Sequence, residues 1–260
     1  MSYDYLNKNI YVSAIYAYRN SLPTALTFAF ILLVLEVVTP VFGLKSSMTF
    51  VGEMFLEIGM AFAIHTFILT GVSNSWKDLI LVKNEAYSYK PFMWKSFAFL
   101  AIFLGVMAII GVLTFLLGPL LVGEKKELYA GIFLILFLIL GLPLIGILFA
   151  VYGTILPATV AEVDSSFPAA FRRSRGLFWF TFGRLVYGPT LFTFVFLLVG
   201  VGLSVIDVPV DVYTESGAFT AMGAIVSFIL YALRMFTLAL TATVLCKTYF
   251  KSVEFSEQST

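Results

Sequence analysis

The chain has 260 residues, 60% of them hydrophobic and 12% charged, with a formal net charge of +1. That hydropathy excludes a soluble globular domain and leaves no stretch long enough for a second one, so residues 1–260 form a single integral membrane domain. Near-neutral charge, with no basic stripe interleaved with aromatics, excludes nucleic acid as a partner.

Backbone polar groups cannot go unpaired in lipid, so the spans must be helices. A transmembrane barrel would show alternating segments of ~10 residues instead. In chain order, residues 1–22 are a mixed segment carrying Lys8, Arg19 and five tyrosines: Tyr3, Tyr5, Tyr11, Tyr16 and Tyr18. The first apolar run covers about 24–42 and contains Glu36; the second, about 48–71, contains Glu53, Glu57 and His65. The second begins almost at once and no small-residue cleavage site intervenes, so the first is a retained helix and not a signal peptide. Residues 73–95 carry Lys77, Lys83, Lys90 and Lys95 with Trp76, Trp94, Tyr87 and Tyr89. A third span at about 97–117 and a fourth at about 130–156 follow, with Lys125 and Lys126 between them and a kink expected at Pro143. Residues 157–180 carry Arg172, Arg173, Arg175 and Trp179. The fifth span, about 181–206, has Arg184 just inside it. A short connection with Asp207, Pro209, Asp211 and Glu215 leads to the sixth, about 218–245, which holds Arg234 and is followed by Lys247 and Lys251. The expected fold is all-α: a polytopic membrane bundle of six transmembrane helices with interfacial cytoplasmic helices.

The basic residues orient this bundle. Twelve Lys and Arg fall on one parity of segments and three (Lys45, Lys125, Lys126) on the other, with Arg234 inside a helix. Positive residues stay on the cytoplasmic side, so both termini are expected there. The chain then reads as three units of similar plan, about 1–72, 73–156 and 157–245, each a cytoplasmic segment, a helix out and a helix back. The approaches to the outbound helices, AYRNSLPTALTFAF, FMWKSFAFLAIF and FWFTFGRLVYGP, share an aromatic, a basic and a small or polar residue.

Tyr and Trp crowd the cytoplasmic segments, which places those segments along the inner leaflet. Ser165-Ser166-Phe167-Pro168 predicts a helix start. The helix that follows puts Phe167 and Phe171 near one face and Arg172, Arg173 and Arg175 largely opposite, an interfacial pattern suited to anionic lipid; alternatively, the arginines only fix topology. No two glycines are four apart, but Gly52/Gly59, Gly111/Gly118, Gly146/Gly153 and Gly176/Gly183 are seven apart, which predicts seams of left-handed packing. Cys246, the only cysteine, permits no intramolecular disulfide. It reads as a packing cysteine, with lipidation the alternative.

Glu36, Glu53, Glu57, His65 and Arg234 are the ionisable residues within spans, and each is costly in hydrocarbon. Arg234 should face a carboxylate or a wet cavity, and Glu57 lies at the nearest depth. One reading is a structural ion pair locking two helices; the other is a proton-coupled or anion-binding transport site. Glu57 and His65 are ~12 Å apart along a helix axis and there is no second histidine, so no metal site and no cofactor are expected. Walker A, HExxH and GxSxG motifs are missing, so neither is an enzyme.

The stretch ILPATVAEVDSSFPAAFRRSRGLFWFTFGRLV, residues 155–186, resembles the six-helix bacterial membrane proteins of the UPF0259 type and the related membrane domain of some glycerophosphodiester phosphodiesterases. The features that carry the resemblance are Pro157, Glu162, Ala169, Ala170, Arg173, Ser174, Gly176, Phe178 and Trp179. It implies a six-span fold in a bacterial cytoplasmic membrane. The hydrolase domain of the fused relatives has no counterpart in this sequence, so no hydrolysis carries over. The sequence therefore points to a non-enzymatic, membrane-organising or accessory protein whose partners are membrane lipids, probed by Arg172, Arg173, Arg175 and Trp179. The alternative is a small transporter or channel using Glu57, His65 and Arg234.

Overall fold

A computed structural model describes residues 8–43, 46–72, 89–122, 128–206, 208–209, 211–214 and 217–257. Of the residues singled out above, Lys45, Lys77, Lys83, Lys125, Lys126, Trp76, Tyr3, Tyr5, Tyr87, Asp207 and Glu215 lie outside that set. Within it the chain is all-α, and the sole β feature among the described residues is one isolated bridge, Tyr213 to Phe219.

The helices are α1 (Ile10–Asn20), α2 (Leu22–Val41), α3 (Ser46–Thr70), α4 (Tyr89–Val122), α5 (Tyr129–Leu136), α6 (Leu142–Tyr152), α7 (Ile155–Val160), α8 (Phe167–Ser174), α9 (Phe178–Leu185), α10 (Leu191–Val205) and α11 (Ala221–Glu257). Six stretches are long and apolar enough to cross a membrane: Leu22–Val41, Phe50–Thr70, Tyr89–Leu121, Gly131–Val160, Phe178–Leu203 and Ala221–Glu254. The protein is a multi-pass membrane protein. The third stretch starts earlier and the sixth ends later than the apolar pattern suggests, because Lys90, Trp94, Lys95, Lys247 and Lys251 ride on helical turns continuous with the spans.

Two spans are each one helix interrupted by a π-helical turn, at Phe137–Gly141 and at Val186–Thr190. Proline lacks an N–H and crowds the preceding turn, so the helix widens there. Pro143 follows the first turn closely and Pro189 sits inside the second. The expected disturbance at Pro143 thus takes the form of a π turn just before it.

The core is built on α3 and α11. In α3 residues 62–68 are all buried, whereas in the Gly131–Val160 span burial is confined to Gly141, Ala150 and the end of the span from residue 153. Small residues let α3 approach α2: a Cβ on Gly52 would meet Leu35 and one on Gly59 would meet Phe28. This seven-residue seam is the one of the four in which both glycines meet the same partner helix. Gly146 faces Phe182 of α9 whereas Gly153 faces Leu245 of α11; Gly118 meets Tyr129 while Gly111 faces open space; Gly176 and Gly183 meet nothing. Spacing alone does not tell a packed seam from a lipid-facing one.

α1 departs from the expected interfacial placement. It runs lengthwise along α11: Lys247 Nζ reaches the Lys8 carbonyl, Ile10 packs with Val244, and Tyr18 OH donates to the Ala232 carbonyl at 2.8 Å. The stripe Ser13, Ala14 and Ala17 is buried and small enough to allow this approach, while Val12, Ile15 and Tyr16 stay exposed. Tyr11 OH donates to the Tyr187 carbonyl in the second π turn at 2.7 Å, so α1 also braces α9 and α10. The end of the bundle where Lys8 meets Lys247 is here termed proximal and the opposite end distal. At the distal end, Val212 is buried and Tyr213 OH donates to the Val37 carbonyl at 2.9 Å, folding the last connection onto α2.

The three-unit plan holds in part. α2 packs on α3 and α4 packs on α5, as antiparallel neighbours. α11 instead packs most extensively on α1, α2 and α3 and touches α10 much less, so the third pair is splayed.

Candidate functional site

Arg234 sits where α2, α3 and α11 meet. Its Nη2 lies 2.5 Å from Glu57 Oε1 and its Nη1 donates to Glu53 Oε2 at 3.2 Å. Glu53 and Glu57 are one turn apart on α3, so one forked guanidinium grips both. Glu57 is the expected partner; Glu53 is a second one that depth counting missed, because a fork spans two turns where a point charge reaches one. Glu36 of α2 stands apart from the guanidinium. It accepts from Tyr231 OH at 3.1 Å and Ser227 Oγ at 3.5 Å. Ser227, Tyr231 and Arg234 follow one another at four and three residues, so a single face of α11 presents two hydroxyls and a cation to the three carboxylates. That spacing was visible in the sequence and is the signal that would have found Ser227 and Tyr231. The side chain of Arg234 is 41% exposed, so the cluster opens on the flank of the bundle instead of being sealed within it.

His65 is not part of this arrangement. It is buried, its Nδ1 donates to the Ala61 carbonyl one turn back at 2.7 Å, and its ring lies 5.4 Å from that of Phe92. Its Nε2 is buried with no hydrogen-bond partner. The structure brings together Glu36, Glu53, Glu57 and Arg234 and leaves His65 in an aromatic pocket of α3 and α4. Among the described residues no group of three or more His, Cys, Asp or Glu could hold a metal ion.

The proximal end has a different chemistry. Ser166 caps α8, its side chain accepting from Ala169 N at 3.3 Å, with Pro168 in the first turn. Ala169, Ala170 and Ser174 form the buried face of α8, so Phe167, Phe171, Arg172 and Arg175 all point outward. The expected division into a phenylalanine face and an arginine face does not hold, since alanines make the close contact. Arg173 turns inward: Nη1 donates to the Asp164 carbonyl at 2.8 Å, Nε donates to Thr154 Oγ1 at 3.3 Å, and the guanidinium lies 6.0 Å from the Tyr249 ring. Burial lowers its pKa from the usual arginine value. Arg172 pairs loosely with Asp164 at 3.6 Å and Arg175 stacks over Phe171 at 5.4 Å. Trp179 is 78% exposed beside Phe178 and Phe182. Lys95 lies over Phe167 at 6.0 Å, and Phe180 carries Arg184 at 3.7 Å and Lys251 at 4.2 Å. Cys246 is fully buried in the main core, which fits packing and leaves its thiol out of reach of lipidation.

Comparison with known proteins adds no relative: no family model, no curated protein and no solved structure matches the chain.

Proposed function

We propose that this protein is a non-enzymatic, multi-pass component of a bacterial cytoplasmic membrane, the location that the UPF0259-type resemblance implies, and that it organises anionic lipid at the inner leaflet. Both termini are cytoplasmic, and the proximal end faces the headgroups. The observation that carries the reading is the set of cations held on aromatic rings at that end, around a largely exposed Trp179. Aromatic rings favour the headgroup level and basic residues favour an anionic leaflet, by ~1 kcal/mol each. The test is lipid retention by the full chain extracted from mixed phosphatidylcholine and phosphatidylglycerol membranes. Wild type should enrich phosphatidylglycerol, and Arg172→Gln with Arg175→Gln and Trp179→Ala should reduce the enrichment. Equal retention of both lipids by wild type would end the proposal. Orientation is tested separately: Asp211→Cys should react with an impermeant thiol reagent from outside and Ser165→Cys should not, with the buried Cys246 silent in both.

A second reading has one observation in its favour. Two carboxylates meet one guanidinium and a third is held nearby by Tyr231, on an open flank. Such an excess suits a transport site for protons or cations. Ion or proton flux in liposomes that is lost in Glu36→Gln with stability unchanged would favour transport over lipid organisation.

A further inference from the structure

The ion cluster of α3 and α11 lies at mid-membrane and is not closed. Arg234 stands near the middle of an apolar run of about 218–245, and Glu57 near the middle of one of about 48–71. Two helices thus place the cluster at the same depth. The side chains of Arg234, Glu53 and Glu57 are 41%, 21% and 24% exposed. Their border is largely apolar. Phe50 precedes Glu53 by three residues and Glu57 by seven, so it shares their face of α3, and it is exposed. Leu230 and Thr237 flank Arg234 at four and three residues on its face of α11, both partly exposed, and the adjacent Leu233 is exposed. α10 does not seal this flank. It meets α11 where Phe192 touches Phe236, with 5.1 Å between ring centres, and none of its described residues is buried.

Charged side chains that meet hydrocarbon are costly, and within spans they face protein or a wet cavity. A border of Phe50, Leu230 and Leu233 offers water little to bond to, which leaves a protein surface as the cover. The charge balance says which kind. Glu53 and Glu57 share one guanidinium, and Glu36 adds a third carboxylate, held by Tyr231 on α11. Ionised, Glu53 and Glu57 exceed Arg234 by one charge, and Glu36 raises the excess to two. A second copy of the chain would bring the same excess, so like charge would meet like. A cationic side chain balances it. Any further backbone at this depth that also meets lipid must be helical, because no water is there to satisfy its polar groups.

We propose that this flank is the docking face for a transmembrane helix of a different protein, one that carries a lysine or arginine at mid-depth opposite Glu53 and Glu57. The surrounding apolar side chains pack against the body of that helix, and the carboxylates take its cation. The inference goes beyond the lipid-organising reading and does not rest on it, since the residues of that reading lie at the proximal end.

The test uses the full chain in phosphatidylcholine vesicles, with a donor fluorophore at Ser165→Cys, where the buried Cys246 does not compete for label. The probes are synthetic transmembrane peptides of leucine and alanine, alike but for lysine, leucine or aspartate at the midpoint, each with an acceptor fluorophore at one end. Energy transfer should show the lysine peptide binding on the order of tenfold tighter than the leucine peptide, and the aspartate peptide no tighter than the leucine one. Moving the lysine two turns from the midpoint should remove the preference. Glu53→Gln with Glu57→Gln should abolish it, and Glu57→Gln alone, which should reduce it, serves if the double variant is unstable. Equal binding of the lysine and leucine peptides by the otherwise unchanged chain overturns the proposal, as does a lysine preference that persists in both acid variants. Mixed donor-labelled and acceptor-labelled copies give the last check. Energy transfer between copies that the acid variants lose, and that the lysine peptide does not displace, would make the flank an interface between copies of this chain and overturn the proposal as well.

Discussion

Arg234 and Arg184 both sit within membrane-spanning stretches, and the chain treats them in opposite ways. Arg234 meets two carboxylates from a neighbouring helix, so its charge is neutralised inside the protein. Arg184 lies on a phenylalanine face with a lysine on the same ring, and no ion pair among the described residues includes it. An internal ion pair locks α3 to α11. A ring-held cation keeps its position on a neutral face. The same residue type is therefore held by carboxylates in one place and by an aromatic ring in the other. The partner, not the depth, separates the two roles.

Arg234→Ala should break this contrast with the largest effect. It leaves Glu53 and Glu57 side by side without a cation. Losing one partner of a buried pair costs ~3–5 kcal/mol, and the partial exposure here brings the expected loss of stability in detergent down to about 2 kcal/mol. Neutralising both acids in the same background, with Glu53→Gln and Glu57→Gln, should recover most of it. Strictly additive losses across that cycle would show that the contacts contribute nothing. Arg234→Lys should fall between, because one ammonium cannot grip both acids.

The sequence made the class of this molecule legible and much of its cohesion too. Apolar length marks the six spans, and intramembrane cost marks Glu57 and Arg234 as partners. Ser-Phe-Pro marks the start of α8, and each signal depends on neighbours in the chain. What was not legible depends on neighbours in space. Glu53 joins Arg234 through the width of a guanidinium. His65 leaves the cluster because its helix face turns toward Phe92. Arg173 turns inward although Arg172 and Arg175 do not, because α8 rests on alanines and rotates that position toward Thr154. The Phe180 corner escaped notice because Lys251 lies 71 residues from the ring it covers.

Arg173 sharpens the comparison at the proximal end. It resembles Arg234 in being used internally, but its acceptors are a carbonyl and a hydroxyl. A hydrogen bond from a charged donor is worth about 1.5–3 kcal/mol. Arg173→Gln should therefore lower stability by about 2 kcal/mol while leaving retained phosphatidylglycerol unchanged. If it removed lipid at constant stability, Arg173 would belong with the outward cations.

A smaller effect is expected at Tyr11, which ties α1 to the second π turn through a single hydrogen bond. Tyr11→Phe removes the hydroxyl and keeps the ring contact with Tyr187. A loss of about 1 kcal/mol should appear in thermal unfolding. No loss would mean that α1 is held by its small-residue face on α11 alone, and the proximal corner would then owe its shape to α11 more than to α1.

The smallest effect decides to which class Arg172 belongs. Its carboxylate partner Asp164 is fully exposed, and the pair is loose. Hydrogen bonds from Ser166, its hydroxyl first and then its backbone N–H, hold Asp164 below the ordinary value of 3.8, with Arg172 and Arg173 adding to the effect. A depressed carboxylate favours the folded state when ionised. Its contribution is present above the unfolded value and is lost as pH falls through the folded one. Asp164→Asn should thus lower the unfolding temperature slightly at neutral pH, and the difference should shrink below 3.8 and then vanish. Because Ser166 dominates, added salt should leave most of that difference intact, since salt screens the Arg172 contact but not a local hydrogen bond. A difference that salt abolishes would make Arg172 a paired residue like Arg234. A difference that survives salt leaves Arg172 free to swing toward an anionic leaflet, in the company of Arg175.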